Sequence, residues 1–213
     1  MCGRYITPDE GAIEREWTKL PRDIEYFQSF NLAPTQAGPV AYHVEGALTV
    51  NLLTWGFQPY WAKKSWINAR SESVFESRAF ASAARQQRCL AIALGWYEWT
   101  GERPPKQPYC FMRSDGRTFA LAGIRTRGSE SDNYAILTTD AVDWAARIHP
   151  RMPLLVGPQH YEAWLSPDTS LGEVEAIIRA PFDDGGFEVY PVSKAVNSPK
   201  HDTPECTQRV SVD

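Results

Sequence analysis

The run Cys89-Leu90-Ala91-Ile92-Ala93-Leu94-Gly95-Trp96-Tyr97-Glu98-Trp99 limits the possible folds more than any other part of the chain. It is the most strand-like stretch in the sequence, apolar almost throughout and ending on a carboxylate between two large aromatics. Further β structure is expected around it. Pro39 to Val44 and Leu48 to Thr54 form a hairpin about Glu45-Gly46, and Tyr109 to Arg113 and Thr118 to Ile124 form another across Asp115-Gly116. Tyr134 to Thr139 and Glu188 to Val192 read as strands. Thr7-Pro8-Asp9-Glu10 reads as a capping box with proline at the first helical position, and Ile13, Trp17 and Leu20 then recur at helical spacing. A helix carrying Phe75, Phe80 and Ala84 is expected to show Arg78, Arg85 and Arg88 along its sides. Thr139 or Asp140 caps a short helix containing Val142 and Ile148, and Pro158 to Leu165 and Ser170 to Ile178 are helical.

No Gly/Ser/Pro-rich linker or charge run divides the 213 residues, so a single domain over 1–213 is expected, with a polar tail from Asn197 that is extended or frayed. No stretch approaches the roughly 20 apolar residues of a membrane span, and the opening segment is polar. Neither a signal peptide nor a membrane helix is expected, which points to the cytoplasm or a nucleoid within it. Cys2, Cys89, Cys110 and Cys206 lack CxxC spacing, which argues against a zinc site and a disulfide framework. Cys89 and Cys110 lie in apolar runs and read as core. A net charge of −4 argues against nonspecific coating of nucleic acid but leaves room for a local basic groove. Sixteen of the 22 basic residues are Arg, a bias suited to forked contacts with phosphate or carboxylate. Eight Trp suit either the core of a β-rich fold or stacking on unpaired bases.

The chemistry concentrates at Met1-Cys2-Gly3-Arg4. Once Met1 is removed, which the small Cys2 side chain permits, the chain begins with an α-amine and a thiol on one residue. An aldehyde can condense with the amine and then be closed by the thiol into a five-membered thiazolidine, a reaction closed to internal cysteines. Arg4 is expected to depress the thiol pKa and attract an anion. The alternative is that Cys2 merely follows Met.

Other segments offer partners for this residue. Tyr60 and Trp61 lie where glycine and proline break an aromatic stretch, so they form an exposed pair suited to a flat ligand. Asn68 and Arg70 precede the expected helix and read as an anion site, or else as a turn residue and an ion-pair member. Glu98, between Tyr97 and Trp99, is expected to be partly desolvated with a raised pKa, unless it simply points to water. His149 shares a proline-bounded turn with Arg151, while His43, His160 and His201 lack such company.

Together with Asn31-Leu32-Ala33-Pro34-Thr35, Trp55-Gly56-Phe57, Ile67-Asn68-Ala69-Arg70-Ser71-Glu72, Gly95-Trp96-Tyr97-Glu98-Trp99 and Ile148-His149-Pro150-Arg151-Met152-Pro153, the amino-terminal motif resembles the SOS response-associated peptidase family, the abasic-site processing proteins. The motifs run in family order from residue 1 to about Val196. The resemblance implies an α+β fold with a β-barrel-like sheet core flanked by short helices. It implies a monomer that binds single-stranded DNA containing abasic sites and traps the opened sugar as a thiazolidine crosslink on Cys2, with no cofactor and no membrane. Replication-associated proteins remain open as further partners. By resemblance, Asn68 orients the sugar and a neighbouring phosphate, Glu98 shuttles protons, and His149 assists ring opening. Arg4, Arg70, Arg78 and Arg151 hold phosphates, Thr138 belongs to the DNA-binding set, and Tyr60 and Trp61 wedge beside the lesion. Family members carry adjacent tryptophans in that loop, and this chain has Tyr60-Trp61-Ala62 instead. Autocatalytic removal of Met1 and lyase-type strand cleavage are secondary activities of the same site. Two other readings stand beside this one. An amidohydrolase with an N-terminal nucleophile would normally use an Asn-Gly pair for its oxyanion hole, and this chain has none. A non-catalytic single-strand binding module would leave Cys2 incidental.

Overall fold

A strand that is apolar on both sides needs cover on both faces, and Arg88–Ala93 is buried at every position. The computed structural model describes residues 2–101, 104–127, 131–180, 182 and 186–212. Its elements are, in order, β1 (Tyr5–Ile6), α1 (Glu10–Glu16), β2 (Ala37–Val44), β3 (Ala47–Trp55), β4 (Asn68–Arg70), α2 (Ala81–Gln86), β5 (Arg88–Ala93), β6 (Gly95–Thr100) and β7 (Gln107–Arg113). They continue with β8 (Phe119–Arg127), β9 (Asp132–Asp140), α3 (Asp143–Ala146), β10 (Arg151–Pro153), β11 (Leu155–Val156), α4 (Tyr161–Leu165), α5 (Leu171–Arg179) and β12 (Phe187–Pro191).

Five strands, β9-β3-β2-β5-β8, pair in a ring that β8 closes by returning to β9. Closure removes the free edges a sheet of this length would otherwise expose. Every pairing in the ring is antiparallel except β3 with β9. Beyond the ring, β9 continues between β4 and β10, which pair with it in parallel and antiparallel register respectively. A second, antiparallel sheet has the order β1-β6-β7-β12. Alternation along β5 assigns the two faces. Leu90 and Ile92 join Ala120, Ala122 and Ile124 under Ile13, Ala84, Trp164 and Val174 of the helices. Cys89, Ala91 and Ala93 join Leu121, Tyr134 and Ile136 against Tyr5, Trp96 and Phe111 of the second sheet. The α+β architecture with a barrel-like core and short flanking helices is therefore as the sequence implied. Among the described residues no helix is long and apolar enough to cross a membrane.

Several local expectations are corrected. The run from Cys89 to Trp99 is not one strand. It breaks at Leu94, whose N–H donates to Ile6 O at 2.9 Å, and its halves belong to different sheets. The hairpin about Glu45-Gly46 forms, with both residues at positive φ (49° and 80°), but the one expected across Asp115-Gly116 does not. That turn instead carries the chain from β7 in one sheet to β8 in the other. Asp9, not Thr7, caps α1, its carboxylate accepting from Ala12 N at 2.7 Å, and Leu20 lies beyond the helix. Of the helix expected around Phe75 to Ala84, only Ala81–Gln86 is α-helical, and Arg88 has moved into β5. Its buried guanidinium donates to the carbonyls of Ala84, Arg85, Trp164 and Ser166. In α3, Val142 is the N-cap and Ile148 lies outside the helix. Ser170 and Glu173 close a reciprocal capping box on α5. The tail, expected to be extended or frayed, carries one 3₁₀ turn, Pro204–Thr207, in which Cys206 is buried.

The two sheets touch through the hydroxyls of Tyr5 and Tyr134, 2.6 Å apart and fully buried. Gly38 on β2 lies directly against this pair, and a Cβ there would collide with Tyr5 Oη. Gly38→Ala is therefore expected to lower stability by about 1–3 kcal/mol in urea unfolding, the usual cost of overpacking a closed core.

Candidate active site

Strand pairing positions the amino terminus. Tyr5 pairs with Trp96 and Ile6 with Gly95, and Tyr97 N donates to Arg4 O at 3.0 Å, so the next step of the register places Gly3 across from Glu98. On its other edge Tyr5 exchanges backbone hydrogen bonds with Leu32, at 3.2 and 2.9 Å. Cys2, just ahead of this doubly held strand, is fully buried, with Sγ 3.9 Å from Arg4 O.

Glu98 shares a strand face with Trp96, two residues away, and is only 2% exposed. Burial disfavours its anion and pushes its pKa from an ordinary 4.5 up to about 7, an effect the chain's positive amino terminus partly offsets. The sequence expectation of a desolvated, near-neutral carboxylate therefore agrees with the geometry. The expectation for the thiol does not. Burial, and then the neighbouring Glu98 charge, raise the Cys2 thiol well above its usual range. The Arg4 guanidinium does not depress it, because its Nη1 donates instead to Asn31 Oδ1 at 3.2 Å and Val196 O at 2.8 Å; of Arg4, only the backbone carbonyl, accepting from the thiol, opposes the rise slightly. At neutral pH the thiol is protonated and needs a base.

From the other sheet comes Asn68, whose Nδ2 donates to Cys2 O at 2.7 Å. Its Oδ1 is buried without a hydrogen-bond partner among the described residues, which leaves an acceptor for a ligand hydroxyl. Asn68 and Arg70 do not precede an α-helix. They form β4, which runs into the single 3₁₀ turn Ser71–Ser73, so the anion-site reading based on a helix N-terminus is withdrawn. The β4–β9 register pairs Arg70 with Thr138, which is buried. Arg151 closes the cluster. Its guanidinium contacts Glu72 through two nitrogens (2.6 and 3.0 Å), Asp140 at 2.6 Å, Thr138 O at 2.6 Å and Thr138 Oγ1 at 3.3 Å. His149 Nδ1 lies 3.0 Å from Arg151 N and 2.9 Å from Arg151 O, so the backbone orients the ring in either neutral tautomer. Burial lowers its pKa, which the hydrogen bond to the Arg151 backbone partly offsets, while the positive amino terminus and then the Lys106 and Arg151 charges add to the lowering.

Cys2, Asn68 and Glu98 thus meet at the seam between the sheets, with Thr138, His149 and Arg151 beside them on and next to β9. Tyr60 and Trp61 stand apart on an exposed turn, 89% and 52% accessible, and Arg70 and Arg78 are exposed. Sequence reasoning assigned no role to Glu72 or Asn31, although both stood inside quoted motifs. Nothing local marked Asp140 as a partner of Arg151.

A closed-ring α+β protein with a buried cysteine at residue 2, a near-neutral carboxylate beside it and an amide on its carbonyl defines a class whose candidate site is built around that cysteine. The family model described as SOS response associated peptidase (SRAP) matches residues 1–199, and the chain belongs to that family. It is 31% identical to the Escherichia coli protein named abasic site processing protein YedK, covering 99% of this chain and 100% of that one. The similarity to abasic site processing protein YoaM of Bacillus subtilis is also 31%, over 96% of each chain. Against chicken abasic site processing protein HMCES it is 29%, over 90% of this chain and 68% of that protein. Among solved structures, a Bacteroides thetaiotaomicron protein shares the fold with a TM-score of 0.81 at 23% identity, covering 99% of this chain and 100% of the other.

Proposed function

We propose that this chain processes abasic sites in DNA, binding single-stranded DNA and forming a covalent crosslink through Cys2 once Met1 is gone. The observation that carries the proposal is the burial of Cys2 just ahead of β1, with the Glu98 carboxyl close enough to act on its thiol and Asn68 on its carbonyl. In the reaction, the Cys2 amine attacks the C1 aldehyde of the opened deoxyribose, and loss of one water leaves a Schiff base. The thiol then adds to the imine carbon, its proton passing by way of Glu98 to the imine nitrogen, and the thiazolidine closes. A carboxylate with a pKa of about 7 both accepts and donates protons near neutrality, and a protonated thiol requires such a base.

In this reading the open acceptor of Asn68 takes a sugar hydroxyl and His149 assists ring opening. Exposed Arg70 and Arg78 reach phosphates, while Arg4 and Arg151 act first by holding the site together. Tyr60 and Trp61 offer a stacking surface for neighbouring bases. The protein acts as a monomer. Removal of Met1 by the same nucleophile, and strand cleavage from the Schiff base, are side activities of one chemistry.

Intact-mass spectrometry before and after mixing with a single-stranded oligonucleotide bearing one abasic site tests the proposal. The expected product is des-Met protein plus DNA less one water, absent with intact DNA. Des-Met protein that forms no adduct would overturn it in favour of glutamine hydrolysis or plain strand binding.

A further inference from the structure

The carboxy-terminal segment beyond the reach of the family match at residue 199 is tied to the amino terminus by a continuous chain of hydrogen bonds. The Asp202 carboxylate accepts from Phe30 N at 2.6 Å and Asn31 N at 2.9 Å through Oδ1, and from Ser29 Oγ at 2.8 Å through Oδ2. Asn31, fully buried, returns its side-chain amide to the tail, donating to His201 O at 2.7 Å, Ser198 O at 3.1 Å and Val196 O at 3.2 Å. Arg4 joins from the third side through Asn31 Oδ1 and Val196 O. The loop so gripped is the one that pairs with Tyr5 through Leu32, and Tyr97 Oη donates to Phe30 O at 2.8 Å. Without the tail, the loop on that edge of β1 would keep its bonds to Tyr5, Thr7 and Tyr97 but lose the tail's bonds to the Phe30 and Asn31 N–H groups and the Asn31 side-chain amide. A two-residue strand has little pairing of its own with which to hold an end in place.

We propose that the tail is a strap and Asp202 a positioning residue, fixing the loop at Phe30 and Asn31 and, through it, the buried place of Cys2 near Glu98. Asp202 touches no reacting atom. Hydrogen bonds from two backbone N–H groups and a hydroxyl to one carboxylate are charge-assisted and among the stronger kind, so their loss frees the loop locally rather than melting the ring. The part of this inference that concerns crosslinking rests on the function proposed above, while the part that concerns burial of Cys2 does not.

The test uses the full chain with Asp202→Ala, and Asp202→Asn as a variant that keeps an acceptor oxygen. Alkylation with iodoacetamide, mapped by peptide mass spectrometry, is expected to speed up about tenfold at Cys2 and at Cys206 on the strap, with Cys89 and Cys110 in the sheets unchanged. Asp202→Asn should fall between wild type and Asp202→Ala. Single-turnover crosslinking to abasic single-stranded DNA should slow about tenfold, with affinity for intact single-stranded DNA unchanged. Cys2 labelling no faster than in wild type, or equal acceleration at all four cysteines, would overturn the strap. If wild type forms no adduct at all, the function proposed above fails, and the labelling result still decides the strap.

Discussion

Cys2→Ala is expected to lose the stable adduct with abasic single-stranded DNA by on the order of 10³-fold or more, while binding intact single-stranded DNA within about twofold of wild type. The variant keeps an amino-terminal amine after Met1 removal, so it can still form the Schiff base and be trapped by borohydride. It cannot close the ring. Denaturing gel electrophoresis with and without borohydride separates these steps. A stable adduct from Cys2→Ala without reductant would show that some other nucleophile carries the reaction.

Glu98→Gln removes the base that a protonated thiol requires, and single-turnover crosslinking is expected to slow by about 10²–10⁴-fold. The wild-type rate should rise with pH through an inflection near 7, where Glu98 loses its proton, and the variant should lack that inflection. The same residue gives a stability signature of definite sign. In the folded protein Glu98 keeps its proton up to about 7, whereas the unfolded chain releases it near 4.5, so between these values the native state binds more protons. The stability that this residue contributes is fully present below pH 4.5 and is lost as pH rises through 7. A shift of that size corresponds to about 3 kcal/mol. The amide of the Glu98→Gln variant does not titrate, so thermal unfolding should show the variant gaining on wild type from pH 4.5 to about 8. Parallel curves would mean that Glu98 titrates as it does in water.

The candidate site was legible to different depths at different residues. Glu98 is buried as expected, but not by the Tyr97 and Trp99 that flank it, since strand alternation turns those two to the opposite face; it lies on the face of Trp96, against which the sheets pack. The thiol of Cys2 read the opposite way. Arg4 is two residues from it in sequence, but a guanidinium acts where its atoms lie, and these lie on Asn31 and Val196. Arg151 followed the same pattern, since Glu72 and Asp140 reach it only after β4, β9 and β10 have come side by side. Arg88 sat on an expected helix face yet lies buried within a strand, its charge shared among four carbonyls.

By itself the sequence determined where most strands lie, the hairpin at Glu45-Gly46, the helix from Ser170, and the potential for an amine and a thiol on one residue once Met1 is removed. Each depends on covalent chemistry or on neighbours within a few positions, where spacing is geometry. Only the tertiary structure decided that the run from Cys89 to Trp99 divides between two sheets, that β9 gathers Asn68, Thr138 and Arg151, and that the tail binds back through Asp202 to the loop beside Cys2. Those arrangements bring together residues as far apart in the chain as Asn31 and His201, whose pairing depends on where whole elements pack, and no local pattern records them.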